Sequence, residues 1–257
     1  MTVQPSPDRS VFGEAWDLLF SPPVAHRGLW SPSGAPENSL AAFHAACAGG
    51  YGIELDVQLT RDGEAVVFHD NTLERMCGVE GRLRDRSLAD LRELRLKGTD
   101  ETIPTLAETL AEVGHRALVQ IELKTPFGDV GPLEKRVHEV LIDHNGPVCV
   151  IGFNPYSHAW FAAHHPKVLR GLDSYRWNDK GAQTLAPEQR KAFARLEHVE
   201  IAKPHFLALG LDMLPNERAD ELRAQGMPVV AWTCRSPADW ERVRGHCDNL
   251  IFEGFLA

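Results

Sequence analysis

Two histidines and five charged side chains stand near the ends of short apolar runs in this sequence. Three of the charged groups are carboxylates, and with no cysteine or paired histidine beside them they suit a hard divalent cation, Mg2+ or Ca2+. Two imidazoles can donate one proton and remove another in one reaction, because they titrate near neutral pH. A guanidinium and an amine can oppose the charge on phosphoryl oxygens. These types together predict an active site for a phosphate ester. The seven residues are His26, Arg27, Glu54, Asp56, His69, Glu122 and Lys124.

The spacing of the acids predicts that they share one face of a strand. Glu54 and Asp56 are two residues apart in one apolar run, as are Glu122 and Lys124 in another. Side chains alternate along a strand, so each pair projects to the same side while its apolar neighbours project to the other. Inward-facing acids would cost several kcal/mol unless a cation or partners compensated them. The alternative to a metal site is a salt-bridge cluster in which Arg27 and Lys124 neutralise the acids.

Four residues at later strand ends are weaker candidates. Trp232, near the end of the predicted seventh strand, is expected either to line the site and bind substrate or to pack in the core. Lys203 and His205 follow the predicted sixth strand, where a substrate contact is expected. Glu253 ends the last strand and is a candidate to face the same mouth.

Apolar runs alternate with helical patterns along most of the chain, which predicts an α/β fold. A length of 257 residues is close to the ~250 typical of a (β/α)8 TIM barrel. Repeated strand–helix alternation favours parallel strands, and we predict one barrel domain over residues 1–257. The eight predicted strands are residues 23–28, 52–57, 118–124, 148–153, 168–172, 199–203, 228–233 and 249–252.

One segment after the second strand departs from this alternation. Asp62-Gly63 is a typical hairpin turn between two apolar runs. The returning run would bring His69 back over the barrel opening. Residues 71–102 are a polar excursion, for which we predict a short helix at 87–96 and a small insertion over the mouth.

Composition restricts the partners. A formal net charge of -9 disfavours nucleic acid, which requires clustered cations, and disfavours an anionic membrane surface. No run approaches the ~18 consecutive apolar residues of a membrane span, and no signal-peptide pattern opens the chain. The five cysteines show no C-x-x-C spacing and are expected to be reduced thiols. We expect a cytoplasmic protein with a small-molecule phosphodiester substrate, no nucleic acid partner and no stable membrane association; its oligomeric state stays open.

Eight motifs, taken in order, resemble the glycerophosphodiester phosphodiesterase family. The resemblance spans residues 23–253, nearly the whole chain, and favours the compact soluble bacterial members. Many members have Asp followed by a nearby Pro at the last strand, where this chain has Glu253-Gly254. The matching motifs are His26-Arg27-Gly28, Pro36-Glu37-Asn38-Ser39, Glu54-Leu55-Asp56-Val57, Asp62-Gly63 with His69-Asp70, Ile103-Pro104-Thr105-Leu106, Ile121-Glu122-Leu123-Lys124, Gly152-Phe153-Asn154 and Ala231-Trp232-Thr233.

The resemblance implies a (β/α)8 barrel that hydrolyses glycerophosphodiesters to glycerol 3-phosphate and an alcohol, with a divalent ion at its mouth. It also implies attack on phosphorus by the substrate's own 2-hydroxyl, through a cyclic phosphate. By position, Glu54, Asp56 and Glu122 match the family's metal ligands. His26 and His69 match its acid/base pair, and Arg27 and Lys124 match its phosphate contacts.

Four other functions stay open from the residues. A lysophospholipase D or a sugar-phosphate phosphodiesterase would use the same chemistry on another ester. A non-catalytic phosphate-ester binding protein would not need the pair of histidines. A glycosidase could use two of the carboxylates on this fold, but the two site cations would then be superfluous.

Overall fold

A closed barrel of eight parallel strands forms the centre of the molecule. The computed structural model describes residues 9–179 and 181–257. Around the barrel the strands follow the order β1-β2-β4-β5-β6-β7-β8-β9, and β9 pairs with β1 to close the ring. The ninth strand, β3, pairs antiparallel with β2. The strands are β1 Val24–His26, β2 Gly52–Leu59, β3 Ala65–Val67, β4 Val119–Leu123, β5 Val148–Gly152, β6 Leu169–Ser174, β7 Phe206–Gly210, β8 Val229–Cys234 and β9 Asn249–Phe252. The predicted fold class is therefore confirmed.

Helices connect the strands and begin where the sequence supplies N-cap side chains. Ser39, Thr105, Asn154, Asn216 and Ser236 each accept a hydrogen bond from a backbone N–H in the first turn of the helix that follows. The α-helices of the described residues are α1 Glu14–Asp17, α2 Leu40–Ala48, α3 Glu74–Cys77, α4 Leu88–Arg92, α5 Leu106–Val113, α6 Pro132–Ile142, α7 Pro155–His164, α8 Pro187–Ala194, α9 Val199–Ala202, α10 Glu217–Ala224 and α11 Pro237–Val243. Short 3-10 helices cover Arg9–Val11, Leu83–Asp85, Gly181–Thr184 and Leu211–Met213.

Apolar side chains fill the barrel interior and the N-terminal segment covers one end of it. Trp16 and Leu19 pack against the inward-facing residues of the strands. Asn249, at the start of β9, donates hydrogen bonds to the carbonyls of Leu19 and Pro22. This contact fixes the segment at the N-terminal ends of the strands, so the opposite mouth is left for the predicted site. The inward-facing cluster is Val24, Leu118, Cys149, Ile151, Leu169, Phe206, Ala208, Val230 and Ile251.

The predicted sixth strand, residues 199–203, is wrong. Val199–Ala202 is a helical turn, and the strand at this place is Phe206–Gly210. Two β-branched residues at alternate positions imitate a strand, but Lys203 adopts a left-handed φ of 46° and ends the helix just before a proline. Lys203 and His205 therefore precede β7 rather than follow a strand. His205 lies at the N-terminal end of the barrel against Phe12 (ring centroids 4.4 Å apart), away from the mouth where a substrate contact was expected.

The predicted hairpin forms, and residues 71–102 are more structured than expected. β2 and β3 pair antiparallel around the Asp62-Gly63 turn. The helix predicted at 87–96 covers only Leu88–Arg92, and the segment contains a second helix, α3, which was not predicted. Residues 71–102 and the hairpin share one buried apolar cluster, which holds the segment against the hairpin. That cluster is Val66, Phe68, Leu73, Met76, Leu83, Leu91, Leu96 and Ile103.

Within the described residues, no helix is both long enough and apolar enough to cross a membrane.

Candidate active site

Three carboxylates meet at the C-terminal ends of two neighbouring strands. Glu54 and Asp56 project from β2, and Asp56 lies in direct register with Glu122 of β4. One oxygen from each of the three lies within 4.8 Å of the others, and all three side chains are buried. Asn38 donates a hydrogen bond to Asp56 over 2.8 Å, and the backbone N–H of Arg27 donates to Glu54 over 3.0 Å. The sequence prediction that these acids converge therefore agrees with their positions.

The donor set fits a hard divalent cation. Lys124 Nζ lies 2.8 Å from Asp56 and 2.9 Å from Glu122. Burial would raise the pKa of Asp56, but Lys124 and the other neighbouring cationic groups together more than offset it, and the pKa falls well below its usual range. Burial and the neighbouring acids raise the pKa of Glu54 well above its usual range and that of Glu122 to about 7. Among the described residues, nothing hydrogen-bonds the buried Oε1 of Glu54. Lys124 and Arg27, whose Nε lies 3.4 Å from Asp56, thus leave Glu54 Oε1 without a partner, which a cation bound by oxygen ligands would supply.

After the first strand, a tight turn directs the backbone N–H of Arg27 toward the acids. Arg27 has a left-handed φ of 60°, and its carbonyl accepts a hydrogen bond from the Asn38 N–H over 2.9 Å. Gly28 follows with a φ of 78°, and a Cβ there would lie 2.9 Å from both Ala42 and Phe43. Only glycine fits this close approach to α2, which explains the third residue of the His26-Arg27-Gly28 motif.

A carboxylate fixes the orientation of His26. Its Nδ1 lies 2.6 Å from Glu253 Oε2, so Nδ1–H donates to that oxygen and Nε2 faces Glu54 at 3.8 Å. Glu253 also pairs with Arg235 at 2.7 Å. Burial would raise the pKa of Glu253, but the bond to His26 and nearby cations lower it to about 2. Glu253 does reach the mouth, where it holds an imidazole.

A second chain of hydrogen bonds holds His69. Its Nδ1 lies 2.7 Å from Asp70, which accepts from Arg75 Nε over 2.6 Å. Arg75 also donates two hydrogen bonds of 2.7 Å to Glu37, and Glu37 in turn accepts from Arg27 over 2.8 Å. Burial lowers the pKa of His69, although the charge of nearby acids opposes the shift. The insertion thus supports the site through a single arginine.

These side chains surround one cavity of about 180 Å³ at the mouth of the barrel. Asp56 lies behind its wall and is fully buried. Trp232 packs against Phe153 with ring centroids 5.6 Å apart and nearly perpendicular planes. A larger cavity of about 340 Å³ lies at the other end of the barrel, near Phe12 and Pro147, and contains none of the predicted site residues. The residues lining the mouth cavity are His26, Arg27, Glu54, His69, Glu122, Lys124, Ile151, Phe153, Asp173, Trp232, Thr233, Arg235 and Ile251.

Comparison with known proteins agrees with this site. The model of the glycerophosphoryl diester phosphodiesterase family matches residues 26–251. A glycerophosphodiester phosphodiesterase from Caldanaerobacter subterraneus subsp. tengcongensis is 38% identical over 249 residues, which are 89% of this chain and 92% of the relative. The chain belongs to the glycerophosphodiester phosphodiesterase family. Members of this family are metal-dependent, and the acidic triad of this member could bind a metal ion.

Solved structures of the family share this fold. An Oleispira antarctica phosphodiesterase, solved in complex with the product sn-glycerol-3-phosphate, has a TM-score of 0.79 at 25% identity and covers 94% of this chain and 96% of its own. The glycerophosphodiester phosphodiesterase of Thermotoga maritima has a TM-score of 0.67 at 26% identity and covers 89% of this chain and 93% of its own.

From the sequence alone, several residues of this site were assigned no role. Glu37 and Asn38 were noted only as motif residues, although they contact Arg27 and Asp56. Arg75 lies in the insertion, and no local pattern marks it. Asp173 could have been predicted as a site residue, because it continues the inward-facing alternation of β6 and lies one residue beyond the predicted strand 168–172.

Proposed function

We propose that this chain hydrolyses glycerophosphodiesters to glycerol 3-phosphate and an alcohol. One observation carries the proposal: three carboxylates lie within 4.8 Å of one another, and two of them, Glu54 and Glu122, line a cavity that two imidazoles also line. The relatives named as glycerophosphodiester phosphodiesterases support the same substrate class. Residues 1–257 are proposed to act as one domain, with residues 71–102 as an insertion bordering the mouth.

Glu54, Asp56 and Glu122 would hold a divalent cation, Mg2+ or Ca2+. When bound, that cation supplies Lewis-acid polarisation of the phosphate ester. Lys124 keeps its proton, because the neighbouring acids raise its pKa more than burial lowers it. With the cation bound, Arg27 and Lys124 would add to the positive charge that faces a phosphodiester anion.

The two histidines are suited to transfer protons at Nε2. In both, Nδ1 is engaged by a carboxylate, Glu253 for His26 and Asp70 for His69. We infer that one takes the proton of the substrate hydroxyl next to the ester as this oxygen attacks phosphorus. The other gives a proton to the departing alcohol oxygen, and water then opens the cyclic phosphate with the roles reversed. An adjacent hydroxyl supplies much of the entropy needed to position a nucleophile.

Trp232 and Phe153 would form an apolar wall beside the phosphate position. Their rings meet edge to face at the cavity. A wall of this kind would contact the carbon atoms of the ester.

The test is the release of glycerol 3-phosphate from a panel of glycerophosphodiesters. The purified chain is incubated with Mg2+ or Ca2+, then with excess chelator, then with the metal restored. We expect release that disappears on chelation and returns with the metal. Absence of release from every diester would contradict the proposed function, and undiminished release after exhaustive chelation would contradict the metal assignment.

A further inference from the structure

Asp173 faces the interior of the barrel at the level of the site. Side chains alternate along β6, and Leu169 belongs to the inward-facing apolar cluster. Gly171, two residues on, also faces inward, because a Cβ there would lie 2.2 Å from the ring of Phe206. Asp173 is the next inward position. It is only 3% exposed, and it lines the same cavity as His26 and the acids.

The carboxyl of Asp173 has no partner within the part of the protein that the structure describes. Among the described residues, none donates a hydrogen bond to Asp173 or forms an ion pair with it. Asp56, by contrast, is bonded by Asn38 and Lys124. Buried polar side chains without a hydrogen-bond partner are uncommon in native structures. A hydrogen-bonding group of a ligand in the cavity would supply the missing partner.

The surroundings indicate which part of a substrate reaches Asp173. The other cavity residues of β5 and β8, and those that follow these strands, are Ile151, Phe153, Trp232, Thr233 and Arg235, and Arg235 already pairs with Glu253. Arg27 and Lys124, the cations suited to phosphate, directly follow β1 and β4. A carboxylate repels a phosphate anion, so Asp173 is placed to meet the organic part of the substrate rather than its phosphate.

We propose that Asp173 is a substrate-binding residue that hydrogen-bonds a hydroxyl group on the glyceryl part of the ester. The assignment rests on the proposed function. A hydroxyl both donates and accepts hydrogen bonds, so it pairs with a carboxyl in either protonation state. An alkyl group at the same place would leave the carboxyl unpaired, which disfavours substrates without the hydroxyl.

The test compares two ligands that carry the same phosphate: sn-glycerol 3-phosphate and propyl phosphate. Their dissociation constants are measured by calorimetry in the presence of Ca2+. We expect the wild type to prefer glycerol 3-phosphate. Asp173→Ala should weaken that ligand about tenfold, the worth of one buried hydrogen bond, and change propyl phosphate less than twofold. Asp173→Asn, which keeps a polar amide, should lose only part of the preference and gives the readout if the alanine variant does not fold.

The matched control is Asp212→Asn. Asp212 is exposed and already accepts a hydrogen bond from the Arg176 N–H over 3.1 Å, so this change should leave both dissociation constants unaltered. Circular dichroism checks that each variant is folded.

Four results would overturn the assignment. Two concern the glyceryl ligand: both Asp173 variants keep the preference for glycerol 3-phosphate over propyl phosphate, or both ligands bind more weakly to the same extent. The other two are a more than tenfold loss of Ca2+ affinity and a loss of affinity seen only when phosphoethanolamine is the ligand. The last would assign the carboxyl to an ammonium group. A wild type that hydrolyses no diester but prefers glycerol 3-phosphate through Asp173 would refute the proposed function alone. If the wild type hydrolyses diesters but its preference for glycerol 3-phosphate does not depend on Asp173, this assignment alone is refuted.

Discussion

Replacement of Arg75 by methionine should cost both stability and activity. Arg75 donates four hydrogen bonds of 2.6 to 2.9 Å, two to Asp70 and two to Glu37. Glu37 is 4% exposed and would keep only Arg27 as a charged partner, while Asp70 would lose the group that fixes it against His69. Hydrogen bonds to charged groups contribute about 1.5–3 kcal/mol. Because Arg75 is partly exposed, we expect a total loss near the lower end, about 2 kcal/mol.

That loss corresponds to a decrease in melting temperature of roughly 4–8 °C for a chain of this size. Differential scanning fluorimetry and urea unfolding would measure it, and steady-state kinetics should show kcat reduced by about tenfold, because His69 is less well positioned. The control is Arg61→Met, since the exposed pair of Arg61 with Asp90 at 3.5 Å is expected to contribute under about 1 kcal/mol. An Arg75→Met protein with wild-type unfolding and kcat within twofold of wild type would refute the reasoning.

Three further predictions concern histidines. His69→Ala should lower kcat by roughly 100- to 10,000-fold, the usual contribution of a general acid or base; a decrease below threefold in steady-state assays would remove His69 from the mechanism. Glu253→Gln should lower kcat by about tenfold with KM nearly unchanged, because His26 loses the carboxylate that orients it, and equal kcat values would contradict that role. Burial lowers the pKa of His158 to about 4 and that of His198 to about 3, from 6.5. Both are neutral in the fold, so the contribution of each histidine to the free energy of unfolding should be constant above about pH 6.5 and should fall by about 3 kcal/mol as the pH drops toward 4. In urea titrations His198→Phe should lose about 3 kcal/mol less than wild type over that range; identical pH profiles would contradict this.

The positions of the charged site residues could be predicted from sequence because strand alternation is strict. Glu54 and Asp56 differ by two positions, so any strand through them places both on one face. Glu122 and Lys124 have the same spacing in a second apolar run, and parallel strands bring their carboxyl ends to one edge, which is why this pair joins the first. The hairpin is equally local, since Asp62-Gly63 specifies its turn.

Other features depend on contacts that a single strand or helix does not encode. Val199–Ala202 has a strand-like alternation, but the left-handed Lys203 and the proline after it leave room only for a helical turn before β7. Arg75 reaches the site only because the buried cluster of the insertion holds α3 beside the mouth. The role of Glu253 depends on strand closure, because β9 must pair with β1 before its carboxylate can meet His26.

The central claim is that the three carboxylates bind one divalent cation, and a direct titration of metal tests it. Ca2+ is titrated calorimetrically into chelator-treated protein, with Asp56→Asn as the variant and Asp212→Asn as the control. We predict one binding site in the wild type and the control, and at least about tenfold weaker binding in Asp56→Asn, because a ligand is lost. No saturable binding of Ca2+ or Mg2+ to the wild type, or equal affinity in the Asp56 variant, would contradict the claim.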